Sequence, residues 1–239
     1  MMFSRPHHQR IAKVLEALDA DLLQQHHCLF AGGTAIALRF GEYRESVDMD
    51  FLVSEISSYR YLRNSVREQG LQALMRSNDS GQLQTSDIRS DQYGIRTKVF
   101  VEGKPIKFEI VLEGRIALAK PRKKDSILGV ATLTTLDMAT SKLLANSDRG
   151  LDRGVHCRDV IDLAMLNLSM SEFAEATTKA QVAYGEAILK DLAKVIDMLG
   201  EANGLLERCM TAMDVSVPRA LLWQNISKVK SYIANGIPN

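Results

Sequence analysis

Cysteine is scarce in this chain of 239 residues, and its distribution excludes a disulfide scaffold. The three cysteines, Cys28, Cys157 and Cys209, are far apart in the sequence and form no Cys-x-x-Cys pair. This pattern suits a reducing compartment, so we expect a cytoplasmic protein. The adjacent histidines at 7–8 and 26–27 are interpreted as surface residues of helix ends and not as zinc ligands.

Long apolar runs and an excess of charge of one sign are also absent. No segment approaches the roughly 18 consecutive apolar residues of a membrane helix, and the N-terminus has no signal-peptide pattern. With 30 Lys and Arg against 29 Asp and Glu, the net charge is +1, so the chain as a whole does not attract nucleic acid. We therefore expect no membrane contact, and any RNA contact must come from a local patch.

The most informative stretch of the sequence runs from Phe30 to Val53. It predicts a short apolar strand, a Gly-Gly turn, a helix and a second strand that carries two aspartates. Because side chains alternate along a strand, Asp48 and Asp50 point to the same face. At about 3.3 Å per residue their Cα atoms lie roughly 6.6 Å apart, close enough to share a divalent cation. Two acids beside a glycine-rich helix start indicate a site for a metal-bound triphosphate.

The glycines before the helix have their own physical reason. Gly32 and Gly33 allow tightly turned backbone and the close approach of a ligand. The unpaired amides of the helix that begins near Thr34 would then face the phosphates, and the Thr34 hydroxyl would cap the helix or donate to phosphate. The plain alternative is an ordinary strand, turn and helix with an acidic strand end.

These residues belong to a longer pattern, Gly32-Gly33-Thr34-Ala-x-Ala-Leu…Gly41-x-x-Arg44-x-Ser46-x-Asp48-x-Asp50-Phe51. The pattern resembles the first motif of the AbiEii-type nucleotidyltransferases, toxin components of abortive-infection and toxin–antitoxin pairs within the DNA polymerase β-like superfamily. The match is dense over this motif and looser over most of the chain. One departure is Glu42-Tyr43, where many members carry a histidine before the arginine. The resemblance implies nucleotide-binding roles for Gly32, Gly33, Thr34, Arg44 and Ser46.

A third carboxylate is needed, because two metal ions about 3.5–4 Å apart require several anionic ligands. The best candidate is Glu109, in the alternating stretch 106–112 that follows a strand at 93–101 and a turn at 102–105. The superfamily resemblance implies that such an acid on a central strand is the third metal ligand. The alternative is that Glu109 pairs with Lys98 or Lys107 across the hairpin.

A further group of charges lies in the second half of the chain. Lys142 lies in a predicted helix, and Arg158, Asp159 and Asp162 lie in the next one, after a polar loop at 146–154 that we expect to be mobile. The resemblance implies that Lys142 neutralises triphosphate charge, as a catalytic and nucleotide-binding residue, and that Asp159 contacts nucleotide or acceptor. The alternative is a plain surface ion pair between Arg158 and Asp162 at i and i+4.

The patterning and the resemblance together predict an α+β fold. A polymerase β-like nucleotidyltransferase core at 1–134, with a mixed sheet flanked by helices, would precede a C-terminal helical bundle at 135–239. One amphipathic helix is expected at 8–26. The later helices are expected near 137–147, 156–168, 171–182, 185–200 and 218–234.

The expected function is metal-dependent nucleotidyl transfer. Asp48, Asp50 and Glu109 would hold Mg²⁺ or Mn²⁺, and an NMP would pass from an NTP to a hydroxyl of RNA, foremost tRNA, or of a protein. The resemblance implies a toxin role and a cognate antitoxin protein. Two alternatives are a small-molecule transferase of the antibiotic-modifying kind and a non-catalytic nucleotide-binding module.

Overall fold

The computed structural model describes residues 3–76, 83–201 and 204–234, with the side chain of Arg153 excepted. The polar stretch 77–82, for which the sequence predicts a loop before the next strand, lies outside the described residues. The chain forms two compact units. The sheet unit comprises Met1–Arg39 and Ser46–Thr134, and the helical unit comprises Phe40–Glu45 and Thr135–Asn239.

A mixed sheet is the centre of the sheet unit. Within the described residues its strands are β1 (Leu29–Ala31), β2 (Met49–Val53), β3 (Gln84–Thr85), β4 (Arg89–Ser90), β5 (Gly94–Val101) and β6 (Lys104–Leu112). Their order is β1-β2-β6-β5-β3, and β4 also pairs with β5. Strands β2 and β6 are parallel, and the other pairs are antiparallel. A separate hairpin joins β7 (Ser126–Ile127) and β8 (Val130–Ala131).

The alternating strands place one row of aromatic side chains in the core. Phe30 on β1, Phe51 on β2 and Phe108 on β6 are fully buried, and successive ring centroids lie 5.2 Å apart. Because Phe51 and Phe108 are buried, the residues beside them in the sequence face the opposite side of the sheet. The burial of one face thus fixes which face Asp50 and Glu109 occupy.

The hairpin between β5 and β6 turns at Glu102 and Gly103, where φ is 53° and 72°. Positive φ at both central residues is the requirement of a two-residue type I′ turn, which matches the twist of the strands. The predicted strand, turn and strand are confirmed.

The helices of the sheet unit are α1 (Pro6–Ala17), α2 (Ala20–Gln25), α3 (Gly32–Arg39) and α4 (Ile56–Gln69), and a 3₁₀ turn follows at Gly70–Leu74. The prediction of one continuous helix at 8–26 is wrong. The helix is interrupted at Leu18, and the Asp19 carboxylate accepts a hydrogen bond from the Leu22 N–H to cap a new helix. An aspartate favours such an N-cap over a helix interior.

The helical unit contains α5 (Thr135–Arg149), α6 (Arg158–Met165), α7 (Met170–Tyr184), α8 (Ala187–Gly200), α9 (Leu205–Ala212) and α10 (Arg219–Ala234). The predicted helices are present, and α9 is an addition that the sequence reasoning missed. The expected loop at 146–154 is wrong in its first part, because α5 continues to Arg149. The mixed sheet with flanking helices, followed by a helical region, confirms the α+β fold. No described helix is long and apolar enough to cross a membrane.

Candidate functional site

Two carboxylates lie side by side on the sheet. Strands β2 and β6 are parallel, and their register pairs Asp50 with Glu109. Both side chains are partly exposed. Asp48 directly precedes β2 and is also partly exposed. The two acids that the sequence places at 50 and 109 thus meet through strand pairing, which no local pattern specifies.

Gly32 allows the Asp50 carboxylate to approach the start of α3. Its φ is +71°, and a Cβ placed on it would lie 2.5 Å from Asp50 Oδ2. Any side chain here would therefore both strain the backbone and displace the carboxylate. The strand register contributes to this proximity, because Ala31 at the end of β1 pairs with Asp50. Gly33 is the second residue of α3.

Thr34 and Ser46 organise the chain that leads to the aspartates. The buried Thr34 hydroxyl donates to the carbonyl oxygen of Asp48 and lies 2.8 Å from the Ser46 hydroxyl. The two hydroxyl groups at predicted nucleotide-binding positions thus contact each other, and that of Thr34 also binds the backbone at Asp48. These contacts position the entry to β2.

His8 is a positioning residue that the sequence reasoning missed. Its ring is fully buried, and its Nε2 accepts the Ser46 N–H at 3.1 Å. The interpretation of the histidine at position 8 as a surface residue is wrong. Its spacing to Ile11 and Leu15, i+3 and i+7 on the buried stripe of α1, is the signal that could have identified it.

Glu109 also contacts two cations. Its carboxylate lies 2.9 Å from Lys107 Nζ and 3.4 Å from Arg96 Nε. Partial burial alone would lower the pKa of Lys107, but Glu109, and then Asp48 and Asp50, raise it above its ordinary value. The Lys107 ammonium therefore lies in the field of all three predicted metal ligands. The alternative pairing of Glu109 with Lys107 is present in the structure.

The donor chemistry of this face suits a hard divalent cation. Carboxylate oxygens are the ligands that Mg²⁺ and Mn²⁺ prefer, and the carboxylates at 48, 50 and 109 all act electrostatically on one positive charge, the Lys107 ammonium. Within residues 3–76, 83–201 and 204–234, however, no three His, Cys, Asp or Glu side chains are grouped closely enough to hold a metal ion. Cation binding would require the carboxylates to draw together.

The helical unit contains a second cluster of five charges, four of which are buried. Arg44 binds Asp162 through two contacts, Nε to Oδ1 at 2.6 Å and Nη2 to Oδ2 at 2.9 Å. Lys142 lies 2.7 Å from Asp162 and 2.9 Å from Asp159. Arg149, in the last turn of α5, also binds Asp159. We call these five residues the buried ion network.

Burial and opposite charge act against each other on the aspartates of this network. The side chains of Asp162 and Asp159 are 0% and 2% exposed. Burial by itself raises the pKa of Asp162, but Arg44 and Lys142 hold that pKa below its ordinary value. Burial and the Asp162 charge raise the pKa of Tyr43, whose hydroxyl donates to Asp162. Both aspartates are therefore ionised in a dry environment, with their partners in place.

The network corrects one interpretation from the sequence. The surface ion pair between Arg158 and Asp162 is wrong, since Asp162 is buried and bound to Arg44 and Lys142. The structure does bring Lys142 and Asp159 together, as partners of each other. Their predicted contacts with nucleotide stay a prediction.

The sheet, its acids beside a glycine turn and the helices that follow give the chain a nucleotidyltransferase fold. JHP933 from Helicobacter pylori is similar over 98% of this chain and 93% of its own, with 17% identity and a TM-score of 0.56. A second H. pylori protein, assigned as a nucleotidyltransferase, is similar over 98% of both chains, with 16% identity and a TM-score of 0.51.

The sequence itself gives the family. Residues 13–216 match the model of the nucleotidyl transferase AbiEii toxins of type IV toxin–antitoxin systems. The match covers most of the chain, so the protein belongs to this family, and the resemblance found in the first motif is confirmed. Comparison of the sequence with curated proteins gives no significant match.

Proposed function

We propose that this protein is a metal-dependent nucleotidyltransferase that moves an NMP from an NTP to a hydroxyl group of RNA or protein. Membership of the AbiEii family supports a transferase that acts as a toxin, neutralised by a cognate antitoxin. A cytoplasmic location, with tRNA as the first RNA to test, belongs to the same proposal.

One observation carries the proposal. Asp50 and Glu109 occupy paired positions on adjacent parallel strands, and the Asp50 carboxylate lies against Gly32 at the start of α3. The start of a helix has amide groups without intrahelical partners, which favour phosphate. An anion-binding helix start next to cation-binding carboxylates is the arrangement that a metal–triphosphate requires.

The site residues of the sheet unit fall into three groups with different roles in this proposal. Asp48, Asp50 and Glu109 would hold Mg²⁺ or Mn²⁺, which supplies charge neutralisation of the triphosphate and a more acidic acceptor hydroxyl. Gly32 and Gly33 keep the start of α3 open to phosphate. Thr34, Ser46 and His8 hold the backbone at Asp48 in place.

The contacts within the buried ion network support a structural role for its members, in place of direct nucleotide binding. Arg44, Lys142 and Asp159 are more than nine-tenths buried, and each is bound to an opposite charge. To bind nucleotide directly they would have to exchange these partners. The contacts favour a role in holding segment 40–45, which connects α3 to β2 in the sequence, in one conformation.

The test is a labelling reaction with purified protein. Wild type, Asp50→Asn and the control Asp87→Asn would be incubated with each α-³²P-labelled NTP, Mg²⁺ or Mn²⁺, total tRNA and a cell extract. Asp87 is an exposed acid in the short connection between β3 and β4. We expect label on RNA or protein from wild type and Asp87→Asn, and none from Asp50→Asn or after EDTA treatment.

A denaturing RNA gel and a protein gel of the products separate the acceptor classes. Label on RNA identifies an RNA nucleotidyltransferase and its nucleotide, whereas label on protein identifies protein nucleotidylation. Equal labelling by wild type and Asp50→Asn would refute the assignment of the site. An absence of label with all four nucleotides and both metals would reject transfer to macromolecules.

A further inference from the structure

Two of the three cysteines, distant in sequence, are in contact in the structure. Cys157 immediately precedes α6, and Cys209 lies in α9. Their thiols are hydrogen-bonded to each other, both residues are buried, and neither forms a disulfide. Cys28, the remaining cysteine, is buried in the sheet unit.

The two thiols line a cavity of about 450 Å³ in the helical unit. The other lining residues are Gly150, Leu151, Asp152, His156, Met198, Glu201, Leu205 and Arg208. Leu151, Asp152, Glu201 and Arg208 are exposed, so the cavity opens to solvent. The cavity therefore gives a small oxidant a route from solvent to the two buried residues.

The environment makes the two thiols chemically unequal. The hydrogen bond from Cys157, assisted by the charge of Arg208, lowers the pKa of Cys209 despite burial. The same hydrogen bond and burial raise the pKa of Cys157. Because the thiolate is the nucleophile, Cys209 is the sulfur that reacts first.

The backbone that carries Cys157 is in an unusual conformation. His156 and Cys157 have φ values of 53° and 50°, two successive non-glycine residues in the left-handed region. Such conformations are uncommon and persist where surrounding contacts hold them. Here they turn the chain into α6 and place the Cys157 thiol against Cys209.

We propose that Cys157 and Cys209 form an oxidation site, at which hydrogen peroxide converts the two thiols to an intramolecular disulfide. The Cys209 thiolate attacks the peroxide oxygen, the O–O bond breaks, and hydroxide leaves and takes up a proton as water. The Cys157 sulfur then attacks the resulting sulfenic acid, the S–O bond breaks, and a second water leaves. Two thiols lose two electrons and two protons in total, and one peroxide gives two waters.

The disulfide would act on the segment that precedes the aspartates of the sheet. Helix α6 carries Asp162, which binds Arg44, and the Met213 carbonyl after α9 accepts the Glu45 N–H. Helices α6 and α9 therefore both hold segment 40–45. A covalent link between them restricts the relative movement of these two contacts. This inference does not depend on the proposed transferase activity.

Thiol counting tests the oxidation directly. The full chain would be treated with hydrogen peroxide, denatured, and labelled with a polyethylene glycol maleimide that adds mass to each free thiol. Wild type should fall from three labels to one and return to three after dithiothreitol. The matched control Cys28→Ser should fall from two labels to none, because it retains the reactive pair.

Single variants test the order of the two steps. In Cys157→Ser the Cys209 sulfenic acid has no resolving thiol, so dimedone should label position 209. In Cys209→Ser dimedone should label position 157 several-fold less. Three labels on oxidised wild type, or a disulfide that peptide mapping assigns to Cys28 or to two chains, would overturn the proposal, and this result needs no variant to fold.

Hydrogen exchange tests the structural consequence. The amide of Glu45 should exchange several-fold more slowly in the oxidised wild type than in the reduced protein, and Cys209→Ser should show no such difference. Unchanged exchange at 40–45 with a disulfide present would overturn the link to this segment.

Discussion

The protein uses charge in two opposite ways in its two units. On the sheet, Glu109 and Lys107 have side chains that are 15% and 49% exposed, so water and ligand can replace one partner by another. In the buried ion network, Lys142 and Asp162 are 5% and 0% exposed and have no such substitute. Exposed charges exchange partners at little cost, whereas buried ones are costly to separate. The first arrangement suits binding, and the second suits a fixed conformation.

Among the variants that test this difference between exposed and buried charges, Lys142→Ala should have the largest effect. Lys142→Ala leaves both Asp159 and Asp162 short of a positive partner in a dry environment. Loss of one partner of a buried pair costs about 3–5 kcal/mol of unfolding free energy, which urea denaturation would measure. Lys190→Ala, in an exposed pair of the same unit with side chains 68% and 84% exposed, should leave stability unchanged.

A stability loss in Lys142→Ala no larger than that of Lys190→Ala would contradict the structural role. It would instead favour a Lys142 that is free to bind nucleotide, as the resemblance implies.

Gly32→Ala tests the close approach of the Asp50 carboxylate to the start of α3, and its expected effect is smaller than that of Lys142→Ala. The new Cβ would push the Asp50 carboxylate away, and a displacement of about 1 Å at a reacting site costs about 100-fold in rate. We expect the initial rate of NMP transfer to fall about 100-fold. Gly103→Ala is the matched control, because Gly103 has a similar φ of +72° but no atom within 4 Å of the Cβ position. Equal losses in both variants would show that backbone strain alone is responsible.

The pH dependence of stability should distinguish the network from surface pairs. The pKa values of Asp159 and Asp162 are lowered in the folded state, so their contribution is complete above the unfolded pKa of about 3.9. It is lost as pH falls through the folded pKa. The melting temperature of wild type should therefore drop steeply below about pH 4.

Asp159→Asn removes one of these titrations. The variant should melt at a lower temperature than wild type at pH 7, and its melting temperature should depend less on pH below 4. Asp197→Asn, in an exposed pair with Lys230, should keep the wild-type slope. An unchanged slope in Asp159→Asn would show that folding does not lower the pKa of this aspartate.

The sequence predicts the carboxylates on the sheet better than the buried ion network, because it depends on local patterns for the first and on distant partners for the second. Strand alternation and the turn chemistry of Gly32 are local, so the faces of Asp50 and Glu109 follow from periodicity alone. That the two acids are neighbours depends on the parallel pairing of β2 with β6, which is tertiary. The contact of Glu109 with Lys107 is one of two pairings that the sequence allows, the other being with Lys98.

The buried ion network could not be deduced from local patterns. Asp162 binds Arg44, 118 positions away, while the i, i+4 rule favoured Arg158. His8 was likewise assigned to the surface, because its acceptor role depends on the backbone at Ser46, 38 positions away. In each case a polar residue is buried by a partner that only the fold supplies.

The smallest effect is expected for a substitution at Lys107, which tests whether the exposed carboxylates can exchange one cation for another. Lys107→Met removes a positive charge from the field of Asp48, Asp50 and Glu109. At about 4 Å in water two unit charges interact by about 1 kcal/mol, and a divalent cation doubles this, so Mn²⁺ should bind up to about 30-fold more tightly in calorimetry without nucleotide. Because the pair is exposed, the gain should shrink as salt is raised.

Lys104→Met is the matched control on the same strand. Its side chain is exposed and lies at an odd-numbered offset from Lys107, which places it on the opposite face of β6. This variant should bind Mn²⁺ as wild type does. If Lys107→Met also leaves the affinity unchanged, the Lys107 ammonium does not compete with the metal for the carboxylates at 48, 50 and 109. A gain confined to Lys107→Met would mean that the open cluster exchanges its own cation for a bound one, which the buried ion network cannot do.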